Sequence, residues 1–138
     1  MHTDPLILAY HNTDYHVNGF QEPIRIGQIS SEADAVLKAN ACTEWAFITA
    51  WNPMSEPLGE PENILRNAGL RLRLDKWLIT EGAGCARDGN WPPEESFFVA
   101  GIPFESAVWL ARTYAQRAFV YGRLGEPARL WVFEHGVM

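Results

Sequence analysis

The chain has 138 residues, 47 % of them hydrophobic and 20 % charged, and a formal net charge of −6. That length and composition suit one globular domain with its own core and exclude a disordered chain. The acidic balance, with a pI near 5.1, speaks against a general nucleic-acid binder, which carries a basic surface, and no run of about 18 apolar residues is present to cross a membrane, so no membrane partner is expected.

In chain order, MHTDPLILAY has neither a basic segment nor a long apolar run, so no signal peptide is expected. Asp4 before Pro5 fits an N-cap and first helical position, so residues 5–12 read as a short helix, although a strand fits as well. Thr13 to Val17 alternates like a strand, Asn18-Gly19 signals a turn, and Ile24 to Gly27 reads as a second short strand. Ser30 or Ser31 then caps a helix with an apolar stripe of Ala33, Val36, Leu37 and Ala41; Ser31 with Asp34 approximates a capping box. Cys42 and Cys85 are isolated, form no CxxC pair, and read as buried free thiols of a cytoplasmic protein.

Trp45 to Trp51 is a nearly continuous apolar run and predicts a central strand. It stops at Asn52-Pro53, and an irregular loop leads to Pro61. From Pro61 to Trp77 the spacing predicts a helix, with Asn63, Arg66, Leu70, Leu74 and Trp77 on one face. Ile64, Leu65, Ala68 and Leu72 lie on the other side, which implies a helix covered on both sides or broken at Gly69. Strands are predicted at Trp77 to Glu81, Ser96 to Ala100, Ala118 to Gly122 and Leu130 to Glu134, with an amphipathic helix over residues 104–116. From Trp45 onward the order is β-α-β-β-α-β plus one strand. The expected class is α+β: a ferredoxin-like βαββαβ core over residues 45–138, mainly antiparallel, with helices on one face. Residues 1–44 form an N-terminal extension of the same single domain, 1–138.

Five stretches carry a resemblance: YHNTDYHV at 10–17, ITAWNPMS at 48–55, PENILRNAGL at 61–70, GNWPPEESFFVAGI at 89–102 and YAQRAFVYG at 114–122. Together they span nearly the whole chain, and ITAWNPMS and WPPEESFFV are the more specific pieces. The chain resembles the bacterial domain-of-unknown-function family 3293. The resemblance implies bacterial origin and a cytosolic single domain, and brings no activity, cofactor or catalytic residue with it.

The first candidate site is the end of the Trp45–Trp51 strand, where Asn52, Ser55, Asn63 and Arg66 can converge. The helix start offers free N–H groups to an anion, and Arg66 can hold a carboxylate or phosphate with two hydrogen bonds. The plain alternative is turn chemistry, with Asn52 capping the loop and Arg66 paired to Glu60 or Glu62. The second is acidic: Glu81, Asp88 and the adjacent Glu94 and Glu95, which face opposite ways once the strand has begun. One can serve as an acid or base or hold Mg²⁺, or all can be a solvated rim. Gly82-Ala83-Gly84 lacks the third glycine of a dinucleotide fingerprint and reads as a bulge or turn. His2, His11, His16 and His135 show no metal-ligand spacing, so no metal is expected, although His11 and His16 can be neighbours. Gln116, at a helix end, can reach a pocket or bond the last carbonyls.

The expected function is a binding module for a small anionic ligand, a nucleotide or a carboxylate metabolite. Its contacts are Asn52, Ser55, Asn63, Arg66, Glu95 and Gln116, with Trp51 and Trp91 as walls. The alternative is a protein-interaction or homo-oligomeric protein, for which a homodimer through sheet edges or faces is the simplest form. A third is a small enzyme using Glu94 or Glu95 with Arg66.

Overall fold

One antiparallel sheet organises the protein, with strand order β1-β3-β4-β2-β5-β6-β7. The strands are β1 (Thr13–Val17), β2 (Glu44–Ile48), β3 (Leu78–Ala86), β4 (Glu94–Ala100), β5 (Ala118–Arg123), β6 (Arg129–Val132) and the two-residue β7 (Gly136–Val137). The helices are α1 (Pro5–His11), α2 (Ser31–Ala39), α3 (Glu60–Arg73) and α4 (Phe104–Thr113). The structure, a computed structural model, describes residues 4–134 and the backbone of 136–137. His2 and His135 lie outside the described residues.

Because successive side chains of a strand point to opposite faces, the central strands feed two cores. Trp45 and Phe47 of β2, Phe98 of β4 and Val120 of β5 pack with Ile7 of α1 and Ala33 and Leu37 of α2. Ala46 and Ile48, Phe97 and Val99, and Phe119 pack with Leu70 and Leu74 around α3 and with Ala107, Leu110 and Ala111 of α4. The sheet is therefore covered on both faces, not on one. The N-terminal segment supplies the second cover and also a strand, since β1 pairs along β3 from Thr13↔Ala86 to Val17↔Gly82.

Several local expectations change. Residues 5–11 are helical: the Asp4 side chain accepts from the Leu6 N–H, and Pro5 opens the helix. Ile24 and Ile26 make single bridges, to Tyr15 and Ala128, and form no strand. Ser30, not Ser31, is the α2 N-cap, accepting from the Ala33 N–H; Asp34 instead receives the Gly125 N–H. α3 runs unbroken through Gly69, and its outer side is open, with Leu65 and Leu72 each 74 % exposed. β3 begins after Trp77 and continues straight through Gly82-Ala83-Gly84, so these glycines are neither bulge nor turn. A Cβ on Gly82 would stand 2.1 Å from the His16 carbonyl oxygen, so the close approach of β1 requires a glycine there.

Candidate functional site

β2 leaves the sheet after Ile48, between the starts of β4 and β5, to which it is antiparallel. Polar side chains gather at this sheet end on both faces. On the α3 face they come from the first half of that helix. Asn63, Asn67, Leu70 and Leu74 are spaced one turn apart, so one stripe carries both buried amides and core leucines.

Each amide closes a gap in the departing backbone. Asn63 accepts the Asn52 N–H (2.8 Å) and donates to the Asn52 side-chain oxygen (2.8 Å). Asn67 accepts the Ala50 N–H (2.8 Å) and donates to the Glu95 carbonyl (2.8 Å). The Arg66 guanidinium donates to the carbonyls of Ala50 (2.7 Å, from Nε) and Tyr114. It also lies over the Tyr114 ring. Arg66 pairs with neither Glu60 nor Glu62, and its fork is used by carbonyls, not left for an anion. Buried polar groups of this kind are costly when unpaired and modestly stabilising when paired.

On the α1 face the same sheet end opens into a cavity of about 310 Å³. α1 roofs it with Leu6, Ala9 and Tyr10; the sheet lines it with Tyr15, Phe47, Thr49 and Ser96; Trp91, Pro57 and Gln116 close its rim. α1 is fixed there by two hydrogen bonds from β1, Thr13 Oγ1 to the Ala9 carbonyl and the Tyr15 hydroxyl to the Tyr10 carbonyl, both 2.7 Å. Gly84 pairs with both Tyr15 and Glu94 and leaves the space beside them open.

Among the described residues, Glu94 is the one lining residue with a formal charge. Burial raises its carboxyl above the usual range, partly opposed by a hydrogen bond from Asn52 Nδ2 (3.2 Å). Burial, reinforced by the Glu94 charge, also pushes the Tyr10 phenol up, so Tyr10 stays a neutral donor. The arrangement offers an acceptor or acid in aromatic surroundings, a combination that marks functional sites more often than surface positions.

The loop that borders the cavity is strained. Asn52, Met54 and Ser55 all have left-handed backbone (φ 47°, 52° and 61°), as does Ala115 (φ 56°). Non-glycine residues there cost on the order of 1 kcal/mol each and persist only where their surroundings enforce them. Here the Met54 N–H is tied to the Ala115 carbonyl (2.6 Å) and the Leu58 N–H to Asn52 Oδ1 (3.0 Å).

The sequence-derived site thus divides. Asn52, Ser55 and Gln116 line the cavity, whereas Asn63 and Arg66 stand on the other face and support it from behind. Gln116 also donates to the carbonyls of Trp51 (3.1 Å) and Tyr114 (3.3 Å). Glu95 is exposed and contributes only its backbone carbonyl, held by Thr49 and Asn67; Glu94 takes the inward position. Trp91 lines the cavity and Trp51 does not. Glu81 is exposed and paired with Arg71 (2.8 Å), and Asp88 bonds Asn90. His11 and His16 are exposed. Among the described residues no group of His, Cys, Asp and Glu stands close enough to hold a metal.

Sequence reasoning missed Asn67, Thr49, Ser96, Tyr10 and Tyr15. Only Asn67 had a local signal, its place on the Asn63–Leu70–Leu74 stripe.

Residues 48–119, just over half of the chain, match the family described as a protein of unknown function, DUF3293. No curated protein and no solved structure matches the chain.

Proposed function

The chain belongs to DUF3293, a family of unknown function, and on the geometry of its cavity we propose that it is a binding module for a small amphipathic molecule. The ligand has an apolar or aromatic body and a positively charged or N–H-donating head. The observation that carries this reading is Glu94, the single charged group among the described residues of a cavity lined otherwise by aromatic, aliphatic and neutral polar side chains. A carboxylate with raised proton affinity favours a cation or a donor and disfavours an anion. Tyr10, Tyr15 and Trp91 supply faces that suit a cation or a flat body. The anionic ligand expected at Asn63 and Arg66 fits less well, because the Arg66 guanidinium is taken up by two carbonyls.

A thermal-shift and tryptophan-fluorescence screen tests this, with small aromatic and aliphatic amines set against carboxylates and nucleotides. Amines are expected to stabilise the protein and to lose that effect in Glu94→Gln. Stabilisation by nucleotides or carboxylates alone would overturn the reading.

A second reading, a small enzyme with Glu94 as proton donor, draws on the same raised proton affinity. It is the weaker one, because Arg66, the group expected to stabilise negative charge, sits on the opposite face of the sheet.

Two finer assignments belong with the proposal. The order β3-β4-β2-β5, all antiparallel, with α3 and α4 on one face, supports a ferredoxin-like centre to which α1, β1 and α2 were added. The free thiols of Cys42 and Cys85 suit the reducing cytoplasm.

A further inference from the structure

Among the described residues nothing covers the outer face of α3. Pro61, Leu65, Ala68 and Leu72 follow at spacings of 4, 3 and 4, and all four are exposed. That spacing is the apolar seam of a two-helix coiled coil. The charges beside it are unevenly distributed. Glu60 and Glu62 lie in the first turn, Arg71 and Arg73 in the last. On a helical wheel Glu62 and Arg73 fall on one flank of the seam, Glu60 and Arg71 on the other.

We propose that this face docks on itself: two copies of the chain pair through antiparallel α3 helices about a twofold axis. With the axis between Leu65 and Ala68, each Leu65 meets Ala68 of the second copy, and each Leu72 meets Pro61. Along one flank Glu62 of each copy then faces Arg73 of the other. Both contacts occur twice, as an isologous interface requires. A parallel pair would bring opposite flanks together and set Glu62 against Glu60 and Arg73 against Arg71 of the second copy, so the charge pattern selects the antiparallel arrangement. Neither Glu62 nor Arg73 takes part in an ion pair among the described residues. Arg71 is already paired with Glu81, so Glu60 gains less on the other flank. Arg73 lies over the ring of Trp109, 5.6 Å from its centroid, and Trp109 is itself 59 % exposed. The apolar surface therefore extends onto α4 beside the seam.

Sedimentation of the full chain from about 1 μM to about 1 mM tests this. A monomer–dimer equilibrium is expected. Leu65→Asp is expected to weaken it by about tenfold or more while leaving the thermal transition and circular dichroism unchanged, because Leu65 is exposed. Glu62→Arg and Arg73→Glu should each weaken the dimer, and the double variant should recover it. A chain that stays monomeric throughout would overturn the proposal. So would a dimer insensitive to Leu65→Asp and to both charge reversals, which would place the interface elsewhere.

Discussion

On the α3 side of the sheet end, Asn63, Arg66 and Asn67 each bond a backbone group of the departing strand, and Arg66 and Asn67 also bond the carbonyls of Tyr114 and Glu95. On the α1 side, a few ångströms of sheet away, Glu94 sits among aromatic rings with a single amide from Asn52 on its carboxylate. The two regions share Asn52, whose backbone is held from one face while its side chain reaches the other. Saturated polar groups build a rigid edge, and a polar group left under-satisfied beside a cavity is available to a ligand. The contrast suggests a division of labour in which the amide corner fixes the shape of the loop and the cavity uses it.

The strongest test of that division removes a support. Asn63→Ala leaves the part-buried Asn52 N–H without its acceptor and is expected to cost about 1–3 kcal/mol, read from urea unfolding. The same variant should weaken any cavity ligand, because Asn52 loses its hold. A loss below about 0.5 kcal/mol would mean that the corner is slack and the contrast false.

Next in size is the cavity itself. Glu94→Gln keeps shape and an acceptor for Asn52 but removes the charge. Charge-assisted hydrogen bonds contribute about 1.5–3 kcal/mol, so amine affinity should fall by about tenfold or more. The fold should not weaken, the reverse of Asn63→Ala. Equal losses of stability in the two variants would erase the distinction between the faces.

The same substitution carries a pH signature. Glu94 has its carboxyl raised by burial in the folded state, so the native protein holds that proton more tightly than the unfolded chain. Its contribution is therefore favourable at low pH. It is lost as pH rises from the unfolded value through the raised folded value. The melting temperature of wild type relative to Glu94→Gln should then fall as pH rises above about 4.3, the unfolded carboxyl value, and level off above the raised folded value. All other titrating groups are common to both proteins, so the difference isolates Glu94. Parallel curves would show that burial does not perturb it.

How much of this was legible follows from the range of the interactions. The α3 stripe is local, set by one-turn spacing, and Asn63, Leu70 and Leu74 could be placed on the buried face from sequence alone. Arg66 shares that stripe, yet whether its fork meets an anion or a carbonyl depends on where residues 50 and 114 arrive. The cavity is non-local throughout. It needs α1 to cross the sheet end and β1 to join β3, and Tyr10 and Glu94 give no sign in sequence that they will meet. Glycines at 82 and 84 read as punctuation because a strand interior usually avoids them; here one makes room for the β1 backbone and the other for the cavity. Alternation of Glu94 and Glu95 foretold that they would diverge, but not which would turn inward.

The smallest expected effect concerns the strained loop that joins the two regions. Met54 and Ser55 both hold left-handed backbone, but only Ser55 lines the cavity. A glycine at either position removes the clash of Cβ with the backbone and also loosens the unfolded chain. The two effects nearly cancel, leaving a gain of about 0.5 kcal/mol. Met54→Gly and Ser55→Gly should therefore raise stability alike. They should part in binding, because only Ser55→Gly takes a hydroxyl from the cavity wall. If both lower amine affinity equally, the pinned loop conformation itself serves the ligand. If only Ser55→Gly does, the hydroxyl touches the ligand, and the strain at Met54 serves the joint between Met54 and the Ala115 carbonyl.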